Sequence, residues 1–288
     1  MQCKHLAVIL CSAGLAALTH PPAIWAQAAK DSLASQGGWD TGMTGILSES
    51  EFKALHELRG DAAPPAQGTM IEVAGSRAYL SLPENAQPPM PALVLIHEWW
   101  GLNEHIQHWS DRLAADGYAT LAVDLYGGRV ATTRDSAMSY MRSVDEDRAL
   151  EILLAAHAFL AQDERIQATH RGSIGWCFGG GWSLRLALEA ADLQAAVIYY
   201  GRLVTDPERL AAIRASILGI FGTRDTGIPQ DVVETFDKAL EEAEVEHRIL
   251  RFDAEHAFAN PSNANYDAEA AAAAWKEVRG FLASELKP

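Results

Sequence analysis

Three residues of this chain have the types, order and spacing for nucleophilic acyl transfer. Cys177 stands in Gly175-Trp176-Cys177-Phe178-Gly179, a G-x-C-x-G pattern followed by Gly180 and Gly181. Asp225 closes Gly222-Thr223-Arg224-Asp225, and His256 closes Asp253-Ala254-Glu255-His256. A thiol nucleophile needs a base for its proton, and the base needs a carboxylate to orient it. Nucleophile, acid and histidine in that order is one of the chain orders in which such triads are built. The glycines have a physical role, because a strand turning sharply into a helix holds the nucleophile in a strained backbone and lets neighbouring chain pass close by. The turn also aims the amide of Phe178 and a helix N-terminus at the reacting centre, where they can stabilise an oxyanion. Asp253 and Glu255 are competing carboxylates, but as sequence neighbours of His256 they do not easily reach its far ring nitrogen. A phosphate loop is disfavoured, since no Gly-Lys-Ser/Thr follows and the glycines lack dinucleotide-fingerprint spacing.

These residues need a scaffold, and the chain supplies an alternating one. Apolar, β-branched runs predict strands at 70–73, 78–82, 92–97, 119–123, 173–176, 195–199, 217–221 and 247–252. Apolar residues at three- and four-residue spacing predict helices over 105–115, 146–161, 182–190, 230–243 and 268–286. Two opening strands joined through Ala74-Gly75-Ser76, then strands alternating with helices, indicate an α/β fold with a mostly parallel sheet covered on both faces. In such sheets chemistry gathers past the carboxyl ends of the strands. Cys177, Asp225 and His256 each follow a predicted strand. So does His97-Glu98-Trp99-Trp100-Gly101-Leu102-Asn103, the segment where such folds supply the second oxyanion amide, here that of Trp99.

A metal is not expected. His97-Glu98 lacks a second histidine at the zinc-protease spacing, because position 101 is glycine, and His105, His108 and Glu104 read as a polar helix face. The 288 residues are 49% hydrophobic and 21% charged, enough for a sizeable core, and 23 Lys and Arg against 38 Asp and Glu leave no basic stripe for nucleic acid.

Residues 1–28 read as an export signal. Lys4 and His5 precede an uncharged run from Leu6 to Leu18, and Ala26-Gln27-Ala28 is a small-x-small cleavage pattern. The run is too short for a membrane span, so a periplasmic or secreted mature protein without a membrane segment is expected. A lipoprotein reading through Cys11 is weaker, because bulky Val8-Ile9-Leu10 precedes it. Losing the first 28 of 288 residues leaves 260, and with Lys4 the only charge lost the net −15 becomes −16. Cys177 is then the one cysteine left, which excludes a disulfide framework. Residues 29–68 read as an N-terminal extension, with a short helix opened by a Ser48/Glu51 capping box and a linker containing Pro64-Pro65, ahead of a catalytic domain over 69–288.

Taken together, Gly175 to Gly181 with Cys177, Glu98 in its segment, Asp124-Leu125-Tyr126, Asp225 and Glu255-His256-Ala257-Phe258-Ala259 resemble the dienelactone hydrolases, or carboxymethylenebutenolidases, over roughly Met70 to Leu286. The resemblance implies an α/β-hydrolase fold and an ester or lactone hydrolase that needs no cofactor. It implies that Glu98 holds and activates the thiol, Cys177 attacks the carbonyl, His256 shuttles the proton and Asp225 orients it. Trp100, Tyr199 and Tyr200 would line the pocket, a place that aromatic packing equally explains. The family enzyme that opens dienelactone holds the substrate carboxylate with arginines, one of them four residues after the histidine. Here that position is Asn260, expected to face a neutral substrate oxygen, and the other arginine is matched by Arg134, with Arg142 as the alternative. The expectation is an exported cysteine hydrolase working through an acyl-enzyme on a small-molecule ester or lactone, its oligomeric state left open. A non-catalytic binding protein on the same fold is the alternative; a thiol redox protein is disfavoured for want of a resolving cysteine.

Overall fold

The computed structural model describes residues 66–287, so the expected export signal and the expected helix at Ser48 lie outside the described residues. The sheet opens with a hairpin. Strands β1 (Thr69–Val73) and β2 (Ser76–Ser81) pair antiparallel around Ala74 and Gly75, both at positive φ (51° and 69°), as the tight turn requires. β2 then pairs antiparallel with β4 (Ala119–Val123), and from there the sheet is parallel through β3 (Ala92–Ile96), β5 (Arg171–Trp176), β6 (Ala195–Tyr199), β7 (Ser216–Gly222) and β8 (His247–Phe252). The spatial order is β1-β2-β4-β3-β5-β6-β7-β8.

The central strands are apolar on both faces because helices cover both. In β3, Val94 and Ile96 point to one core and Leu93 and Leu95 to the other, as the period-two pleat dictates. The first core is closed by α3 (Glu146–Gln162), α4 (Phe178–Glu189) and α6 (Gln230–Glu242), the second by α1 (Glu104–Ala115) and α7 (Ala268–Leu286). Each fully buried Leu or Ile removes side-chain area from water worth roughly 1.5 to 3 kcal/mol. The outer strand β8 is half-buried and carries Arg248 and Arg251, which pair with Glu277 (3.0 Å) and Asp237 (2.9 Å) and keep that edge charged.

Three helical features differ from the sequence expectation. α2 (Arg134–Arg142) is unforeseen because only Ala137 on it is fully buried, so no apolar stripe marks it; a Thr133/Ser136 capping box starts it instead. The single turn α5 (Pro207–Leu210) begins with the Asp206 cap and Pro207 in its first turn. α4 starts at Phe178, four residues before the predicted Trp182, so Gly179, Gly180 and Gly181 are helical and not loop.

Candidate active site

Cys177 sits between the last residue of β5 and the first of α4 with φ 53° and ψ −114°, a conformation rare for a side chain with Cβ. Two flanking glycines make it possible. A Cβ on Gly175 would lie 2.0 Å from the carbonyl oxygen of Gly179, and one on Gly179 would lie 2.2 Å from that of Ile96. The helix can therefore press onto the sheet and lift the thiol at the strand ends.

The three predicted residues meet there. His256 Nε2 is 3.2 Å from Cys177 Sγ, and His256 Nδ1 is 2.7 Å from Asp225 Oδ2. The other carboxylate oxygen of Asp225 accepts the amides of Gly227 (2.8 Å) and Ile228 (3.0 Å), which fixes its rotation. All three side chains are buried. Burial works against a charged imidazole at His256, but the charges of Cys177 and Asp225 and the hydrogen bonds to both outweigh it and hold the group well above its ordinary value. The amides of Trp99 and Phe178 donate to no backbone carbonyl among the described residues.

Glu98 stands differently from the expectation. The thiol's partner is His256, while Glu98 Oε2 accepts the side-chain amide of Asn260 and Glu98 Oε1 has no hydrogen-bond partner among the described residues. Burial raises the Glu98 carboxyl from 4.5 to about 7, against the smaller opposing effects of His256 and the Asn260 hydrogen bond. An acid whose folded value lies above its unfolded one favours folding at low pH, and that contribution is lost as the pH climbs from about 4.5 to about 7. Glu98→Gln keeps the shape and cannot ionise. In urea unfolding it is expected to exceed the parent by about 3 kcal/mol at pH 8.5, with most of that difference gone at pH 5. A constant difference across that range would show that Glu98 is not a buried ionising group.

The substrate-facing expectations are partly corrected. Asn260 is 1% exposed and committed to neighbours, its Nδ2 to Glu98 and its Oδ1 to Ser262 N (2.8 Å) and Ser262 Oγ (2.6 Å), so it positions the carboxyl group and is not placed as an open donor. Tyr199 belongs to the core, stacked on Trp176 (5.8 Å between centroids), which stacks on Trp109 of α1 (5.5 Å). Tyr200 does reach the site, with its ring 5.1 Å from that of His256. The two rings meet edge-on at 5.7 Å, so Tyr199 lies behind Tyr200 and only Tyr200 is in contact with the histidine. Trp100 is buried beside Trp99 (5.1 Å) and packs against Ala131 and Ala137, under α2. Arg134 opens α2 half-buried, and Arg142 ends it exposed.

Two residues have structural roles that the sequence does not reveal. His97, fully buried, donates from Nδ1 to the Glu98 carbonyl (2.5 Å) and accepts the Leu125 amide at Nε2 (3.1 Å), so it ties the loop after β3 to the loop after β4. Burial holds it below the ordinary histidine value, in keeping with a neutral ring. Arg129 donates from Nε to the Tyr126 carbonyl (2.9 Å) and lies over the Tyr140 ring (4.3 Å), fastening that second loop to α2. His105, expected on a polar helix face, is instead buried, and its Nε2 accepts Trp109 Nε1–H (3.1 Å).

Known proteins match this arrangement. The sequence model of the dienelactone hydrolase family matches residues 76–286. A curated protein of Synechocystis sp. named "Putative carboxymethylenebutenolidase" is 30% identical over 235 residues, which cover 75% of this chain and 94% of that protein. Among solved structures, a dienelactone hydrolase-like promiscuous phosphotriesterase from metagenomic libraries superposes with a TM-score of 0.70 at 25% identity, over 76% of this chain and 98% of that one.

Proposed function

Since the chain belongs to the dienelactone hydrolase family, a family of hydrolases on the α/β-hydrolase fold, we propose that it cleaves a small ester or lactone through a Cys177–His256–Asp225 triad and a thioester acyl-enzyme. One observation carries the reading: the Sγ of Cys177 lies 3.2 Å from His256 Nε2 while Nδ1 of the same ring lies 2.7 Å from Asp225.

The chemistry follows from that geometry. With Nδ1–H held by Asp225, Nε2 takes the thiol proton as Sγ forms a bond to the carbonyl carbon, and the carbonyl π electrons move onto oxygen. The free amides of Trp99 and Phe178 stabilise that oxygen at the mouth of α4. Collapse expels the alcohol oxygen, which takes the proton from Nε2. In a lactone the leaving alcohol stays tethered to the acyl group. Water then gives a proton to Nε2 as it attacks the thioester, and the thiolate departs. Asn260 and His97 hold Glu98 beside this path without touching the thiol. Assays on a neutral aryl ester, a lactone and a thioester test the activity, and failure on all three would remove the proposal.

We also propose that residues 1–28 direct export and are cut after Ala28, leaving 29–68 as an extension before the catalytic domain at 69–288. The support is the composition of residues 1–28. Among the described residues no helix is long and apolar enough to cross a membrane. Intact mass of the protein recovered from its native host should correspond to a chain starting at Ala29. A retained Met1 in a cytoplasmic fraction would contradict export.

A further inference from the structure

The loop after β4 carries a phenol, packed against the ring of Phe178, that neither the triad nor the amides use. Tyr126 is 2% exposed, and its Oη has no hydrogen-bond partner among the described residues. Buried polar groups are nearly always paired, so a buried hydroxyl without a partner, on a ring packed against the residue that follows the nucleophile, calls for an explanation. The placement of this one is built from three sides. Asp124 Oδ1 accepts the Tyr126 amide (2.8 Å) and Arg129 Nε donates to its carbonyl (2.9 Å), which fixes the backbone. The ring meets His97 edge-on at 4.6 Å, Phe178 at 5.5 Å and Tyr140 at 5.9 Å. Phe178 is the residue directly after Cys177, and its amide is the first oxyanion donor.

We propose that Tyr126 is a further catalytic residue, its Oη–H donating a hydrogen bond to the substrate oxygen that gains charge when Cys177 attacks. This rests on the thiol mechanism above. The phenol suits the role because it stays protonated: burial first, and then the charge on Cys177, push it far above the ordinary tyrosine value. A donor that cannot ionise beside a developing anion needs no reorganisation as the charge forms. It also explains the work of His97, whose ring holds the Tyr126 ring while its nitrogens tie Glu98 to Leu125.

Tyr126→Phe keeps the ring and removes only the hydroxyl. With p-nitrophenyl acetate, kcat is expected to fall roughly tenfold to a hundredfold with KM within about twofold, since an oxyanion contact acts chiefly in the transition state. Thermal unfolding should be no lower than the parent's, because an unpartnered buried hydroxyl adds no stability. A kcat within about twofold of the parent, or a drop in kcat matched by a lower unfolding temperature, would overturn the role. Cys177→Ala measured alongside separates the two failures. An inactive Cys177→Ala with an unimpaired Tyr126→Phe rejects the tyrosine alone, whereas an active Cys177→Ala rejects the thiol mechanism beneath it.

Discussion

Cys177→Ala is expected to lower kcat/KM for a neutral aryl ester by at least about 10³- to 10⁴-fold while leaving the fold in place, because it deletes the atom that bonds to the substrate. The remaining groups cannot substitute. His256 could at best activate a water, and Glu98 is tied to Asn260. The fold should survive because alanine meets the same backbone geometry at φ 53° that cysteine does, and only one atom is removed. Near-ultraviolet circular dichroism and the unfolding midpoint should therefore match the parent. Retained esterase activity in a well-folded Cys177→Ala would exclude the thiol as nucleophile.

Asp225→Asn should cost nearly as much, about 10³- to 10⁴-fold in kcat, for a reason of hydrogen-bond polarity. The amides of Gly227 and Ile228 both donate to Oδ1, at 2.8 and 3.0 Å, so an asparagine must keep its carbonyl oxygen there. Its NH₂ group then replaces Oδ2 opposite His256 Nδ1, now 2.7 Å away, and can only donate. The imidazole is forced into the tautomer with its hydrogen on Nε2. That nitrogen faces the thiol and can no longer accept a proton from it. Losing the Asp225 charge and hydrogen bond also takes away two of the influences that hold His256 well above its ordinary value. The pH–rate profile of the variant should shift accordingly. A variant that keeps both the parent's kcat and its profile would mean that Asp225 does not orient the base.

Much of this site is legible in the sequence because its parts are local patterns. The G-x-C-x-G elbow, an aspartate three residues past β7 and a histidine four past β8 each follow a run that reads as a strand without tertiary information. Cys177 and His256 are 79 positions apart, yet the rule that parallel strands present their carboxyl ends together brings them to one place. What escapes is what depends on contact. Gly179 reads as loop because nothing in its neighbours reveals the Ile96 carbonyl that a Cβ would strike, so the start of α4 is misplaced. α2 has one fully buried residue and hence no periodicity to find. Asn260 and Glu98 are 162 positions apart, and their hydrogen bond turns an expected substrate contact into a support for the carboxyl group. Tyr199 and Tyr200 are adjacent and their rings meet at 5.7 Å, and which of them reaches His256 is set by contacts that their types and order do not reveal. His97 is the least legible, since its function is to join two loops.

The central claim is a covalent bond between Cys177 and the acyl group. Rapid acid quenching of the enzyme during turnover of p-nitrophenyl acetate, followed by intact mass measurement and peptide mapping, tests it directly. The account predicts one acetyl group per chain, carried on the peptide containing Cys177, lost on incubation with hydroxylamine and absent from Cys177→Ala. Turnover with no acetylated protein, or with the acetyl group on any other residue, would contradict it.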